Sequence, residues 1–126
     1  MTAAAVIAVV LLVVVWVFQA ALAIGAPLGS ASWGGQHQGV LPTRLRIASG
    51  AAAVVVYPLI VVYVLGASGL MDLDWAPIGS LGMWVLTAFF GVGAVGNLAS
   101  RSKIERVWAP VSLVIAVCCA IIAIGM

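Results

Sequence analysis

Residues 3–24 read AAAVIAVVLLVVVWVFQAALAI, 22 residues without a charged side chain. A hydrocarbon core about 30 Å thick takes roughly 20 helical residues to cross. Within it only a helix or a closed barrel satisfies its own backbone. This run therefore predicts a spanning helix. A cleaved signal peptide competes, because Ala21-Leu22-Ala23 imitates a cleavage site. No basic residue precedes the run and it is too long for such a peptide, so a retained helix is expected.

The remaining sequence has the same character. Of 126 residues, 66% are hydrophobic and 6% charged, against roughly a quarter charged in soluble domains. Mean hydropathy is +1.33. The length predicts one integral membrane domain over 1–126, and no basic tail or aromatic-basic patch points to nucleic acid. Adjacent Cys118 and Cys119 are poor disulfide partners, since a bridge between neighbours strains the intervening peptide; they read as small packing residues.

Two polar islands interrupt the hydrocarbon-like sequence, at 25–46 and 97–106. The first begins with five glycines and two prolines in the 18 residues 25–42, a density that excludes a regular helix. Leu28, Trp33, Val40 and Leu41 nevertheless make it apolar for a loop. It is expected to fold back on the bundle at headgroup level, re-entrant or flat, with Trp33 as an interfacial anchor.

Thr43 reads as the N-cap of a second helix over 44–69, with Pro58 at mid-span removing one backbone hydrogen bond. A link, MDLDWAP, carries Asp72, Asp74 and an interfacial Trp75. The third helix is expected over 78–99. Its pairs Gly93/Asn97 and Gly96/Ser100 give the small-xxx-small spacing that lets membrane helices approach closely. The fourth is expected over 103–126, opened by the capping-box pattern of Ser102 and Glu105, with Ala116 and Ala120 repeating the small spacing. The fold class is thus an all-α membrane protein, a four-transmembrane-helix bundle with a long Gly-rich first loop. The strings GAPLGSAS and GAVGNLAS, at the ends of the first and third helices, would fit a duplicated two-helix unit.

All five basic residues, Arg44, Arg46, Arg101, Lys103 and Arg106, fall in the first and third connections; the second connection and the ends hold none. The positive-inside rule then places loops 25–43 and 100–106 in the cytoplasm, both termini outside, and the chain in the inner (plasma) membrane.

The residue types narrow the chemistry. One histidine and two cysteines do not make a soft-metal site, no phosphate loop is present, and no cofactor is expected. No carboxylate lies within a predicted span, against a proton-coupled pump. An enzyme using His37 as base would lack an evident nucleophile or metal. Gln19 and Asn97 cost free energy in lipid unless hydrogen-bonded, so they should face inward. With Trp33, Gln36, His37, Arg44, Arg46, Arg101 and Arg106 they form a candidate cytoplasm-facing pocket, cationic with aromatic walls and suited to a small anionic or lipid-like ligand. The basic residues also read as topology determinants touching anionic lipid, and Glu105 as a helix cap or a partner of Arg101.

The stretches GAPLG…WGGQHQGVLPTRLRIASG and NLASRSKIERVWAPV resemble a family of small four-helix bacterial integral membrane proteins of uncharacterised function. The resemblance covers nearly the whole chain and implies the bundle and its two islands, but no activity. The first helix lacks the glutamate of the small multidrug exporters. It also lacks the GGxxG…R pattern of the fluoride channels, since Gly34, Gly35 and Arg44 follow it. Two functions remain: binding or transport through the pocket, and a non-catalytic accessory subunit of a larger membrane complex. Membrane lipids are expected neighbours, and homo-oligomerisation fits either.

Overall fold

The computed structural model describes residues 1–73 and 79–126, and every regular element among them is helical. We number the long helices α1 (Thr2–Ala23), α2 (Thr43–Ala67), α3 (Gly79–Leu98) and α4 (Trp108–Gly125), the last entered through a 3₁₀ turn at Glu105–Val107. All four spans are long and apolar enough to cross a membrane, giving a multi-pass membrane protein. Asp74, Trp75 and Ile78, assigned above to the second link and to the start of the third helix, lie outside the described residues.

The bundle is built around α4. In its span 44% of residues are buried, against 17–22% in the other three. α3 lies along α4 over most of its length, α1 packs on both α4 and α2, and α2 touches α3 little. On α1, Ala4, Ala8 and Leu12 are buried at intervals of four, one face of a helix, and the two alanines bring the neighbouring backbone close. Leu12, Val64, Met83, Ile115, Cys119 and Ile122 are completely enclosed. Both cysteines are buried and free. The opposite face of α1, with Val6, Ile7, Val10, Val14 and Val17, is exposed, as a lipid-facing surface would be.

Pro58 does not simply kink α2. Residues Ala52–Val56 widen into a π turn, in which the Tyr57 amide bonds to Ala52 O instead of Ala53 O. In that register Ala53 O would receive the amide of residue 58, and proline has none. Trp16 of α1 fills the place: its indole Nε1 donates to Ala53 O at 2.7 Å. A neighbouring helix thus repairs the break, as the apolar surroundings require.

Four local expectations are corrected. Thr43 starts α2 without capping it; Pro42 holds the cap position, and Pro42 O accepts from the Leu45 and Arg46 amides. The capping box is half formed. Ser102 Oγ accepts from the Glu105 amide at 3.4 Å, but the Glu105 carboxylate turns away to the first loop, and the helix proper starts only at Trp108. The glycines in the second half of α3 are not where it closes on its neighbours: among the described residues a Cβ at Gly91, Gly93 or Gly96 would meet open space. The close approach is at Gly82, where Tyr63 of α2 crowds the backbone and donates its hydroxyl to Gly79 O. GAPLGSAS lies beyond α1 in the loop, whereas GAVGNLAS lies largely within α3, so the two strings do not form equivalent structures.

A cavity beneath the first loop

The first loop is a folded piece with two 3₁₀ turns, Gly29–Ala31 and Trp33–Gly35. It closes on itself through the Gly29 amide, which donates to Gly39 O at 2.8 Å. The second island and the first residue of α4 then clamp it at three points. Ser102 donates its hydroxyl to Ser30 O, the Gly34 amide donates to Glu105 Oε2 at 2.9 Å, and Trp108 Nε1 donates to Ala31 O at 3.0 Å. A fourth tie runs to α2, from Trp33 Nε1 to the enclosed Ser49 Oγ at 3.0 Å. Trp33 is therefore pinned to the bundle as well as exposed at 43%.

This seating needs an unusual backbone. Trp33, Gly34 and Gly35 have φ of 49°, 82° and 70°, the left-handed region that glycine enters freely and tryptophan does not. Gly35 also lies so close to Ser102 that a Cβ there would collide with the serine side chain. The turn exposes the Gly34 amide to Glu105, a charge-assisted bond of the stronger kind.

Beneath the loop is a cavity of about 240 Å³. Val15, Phe18 and Gln19 of α1, spaced i, i+3, i+4, form one wall; Phe89, Phe90, Gly93 and Asn97 of α3 form another. Glu105, Trp108 and Ser112 close the α4 side, Tyr57 the α2 side, and Ala31, Ser32 and Trp33 the roof. Phe89 and Trp33 are exposed while Phe90, Ser32 and Glu105 are buried, so the first two form the rim and the others the interior. Phe18 and Trp108 stack across the α1–α4 boundary with centroids 4.7 Å apart. Asn97 Nδ2 lies 3.4 Å from Ser112 Oγ. Gln19 Oε1 is buried with no hydrogen-bond partner among the described residues.

Of the nine residues nominated from sequence, Gln19, Trp33 and Asn97 line this cavity; Gln36, His37, Arg44, Arg46, Arg101 and Arg106 do not. Two arginines serve helix ends instead. Arg46 Nε donates to Ala23 O, the last residue of α1, at 3.2 Å, and Arg106 Nε donates to Ser100 O just beyond α3 at 2.8 Å. Both positions suit a cation, since helix C-termini carry unpaired carbonyls and partial negative charge. Arg44, Arg101 and Gln36 are exposed, and His37 is half-buried in the loop. The residues that sequence reasoning passed over are Glu105, Tyr57, Trp108, Ser112 and the phenylalanines. Their signal was helical spacing: 105, 108 and 112, like 89, 93 and 97, each mark one face.

Searches against protein-family models, curated proteins and solved structures found no match to this chain.

Proposed function

We propose that this protein binds a small lipid-like ligand in the cavity beneath the first loop, with both polar islands on the cytoplasmic side of a plasma membrane. The observation that carries the reading is Gln19 Oε1, a buried acceptor left without a partner among the described residues, in an aromatic-walled space. A polar group in that position costs free energy unless something bonds to it. The space lies where α2 and α3 touch little, and the exposed Phe89 on its rim gives a bilayer-dissolved molecule a lateral way in.

Gly93→Leu tests the reading, because a side chain there enters open space along the cavity wall. Native mass spectrometry of protein released from mild detergent should show a retained small molecule on the parent chain and on His37→Ala and Arg44→Ala, whose positions are outside the cavity. Gly93→Leu should be bare at unchanged melting temperature. A parent chain that is always bare, or equal retention by Gly93→Leu, counts against the cavity as the site.

A second reading, an accessory subunit in a larger membrane complex, draws on the α3 face where Gly91 and Gly96 meet no neighbour among the described residues beside exposed Val92 and Val95. Such a face admits another helix closely. It predicts a co-purifying polypeptide that Gly96→Leu displaces; a partner-free parent chain removes this reading.

A further inference from the structure

We infer that the ligand class of this cavity is a compact organic cation, an aryl- or alkylammonium. The inference rests on the cavity-binding reading above and concerns the sign of charge the walls accept. Among the described residues, Glu105 is the only lining residue that carries a formal charge. The arginines that would have made the pocket cationic are at helix ends or on the surface. Glu105 is 5% exposed, and its carboxylate is held by a backbone amide, Gly34 N–H, rather than by a basic side chain. A neutral donor satisfies one lone pair and leaves the charge uncompensated, which is costly in a buried place.

The rest of the wall has the same preference. Six of its fourteen residues are aromatic: Phe18, Trp33, Tyr57, Phe89, Phe90 and Trp108. Ring faces are negative at their centres and attract ammonium groups, tryptophan most strongly. Gln19 Oε1, without a partner, adds an acceptor for an N–H or for the positive edge of a quaternary ammonium. An anion would find no basic side chain here and would meet Glu105. The volume, about 240 Å³, is below the usual drug-pocket range of about 300–1,000 Å³, so the cation is compact.

Equilibrium dialysis in detergent against empty micelles separates the alternatives, with benzyltrimethylammonium, its uncharged isostere neopentylbenzene and the anion phenylmethanesulfonate as probes. The cation should bind about tenfold or more tightly than either of the others. Glu105→Gln keeps an acceptor for Gly34 and should cut the cation's affinity severalfold more than the neutral isostere's, leaving only the smaller preference of the ring faces. If that variant does not fold, Phe18→Leu carries the test: it removes one ring face and should weaken the cation more than the isostere. Equal or tighter binding of the neutral or anionic probe overturns the cation class and leaves the cavity reading standing. No binding of any probe above the micelle blank overturns both.

Discussion

Trp16 and Pro58 are 42 positions apart in the sequence yet make a single local repair. The proline withdraws an amide, the π turn re-registers the one before it, and an indole from α1 takes the remaining carbonyl. Trp16→Phe should keep most of the packing and strand Ala53 O, at a cost of about 1–3 kcal/mol. In a Pro58→Ala background α2 can return to α register, where the Tyr57 amide reaches Ala53 O, so the same substitution should cost clearly less. A double-mutant cycle of melting temperatures in one detergent reads the coupling; additive effects would sink the repair argument. Gly35 is constrained for two independent reasons, its φ of 70° and the nearness of Ser102. Gly35→Ala should therefore destabilise by about 1–3 kcal/mol, and Gly39→Ala, which meets no neighbour, by less. Equal melting temperatures for the two variants would show that the Ser102 contact is unimportant.

The first loop behaves as an element because the second island holds it. Ser102 and Glu105, between α3 and α4, and Trp108, the first residue of α4, each make one hydrogen bond to it. A capping-box glutamate ordinarily returns to its own helix end; this one stabilises a loop about 70 positions away in sequence. Glu105→Leu loses the acceptor and leaves the Gly34 amide unpaired, about 1.5–3 kcal/mol for a bond to a charged group. Limited proteolysis should then cut within 25–42 markedly faster than in the parent chain. Glu105→Gln, which retains an amide oxygen, should be intermediate. Identical cleavage in all three would mean that the clamp contributes nothing to the loop's order.

At the level of the whole molecule, four apolar spans put both connections that bear arginine on the same side, and the orientation proposed above makes that side the cytoplasmic one. Gln38 and Asp72 are exposed in connections at opposite ends of the bundle. Single cysteines at these positions, with Cys118 and Cys119 replaced by alanine, should react with a membrane-impermeant maleimide from opposite faces. Gln38→Cys should label only after the cytoplasmic face is opened, and Asp72→Cys in intact cells. The reverse pattern would invert the orientation without changing the fold.

The number of helices, their approximate limits and the existence of two polar islands were legible from sequence, because hydrocarbon thickness and backbone satisfaction leave an uncharged run of about 20 residues little alternative. Gln19 and Asn97 were legible as inward-facing for the same reason, since amides are costly in lipid. Which charges belong to the site was decided only by tertiary structure. Arginine was drawn to the carbonyls at helix ends, and the acid was carried inward by the turn that precedes α4. The order of residues records that a carboxylate and five cations share one end of the bundle. It cannot record which of them the backbone can reach, and that geometric constraint determines the polarity of the cavity.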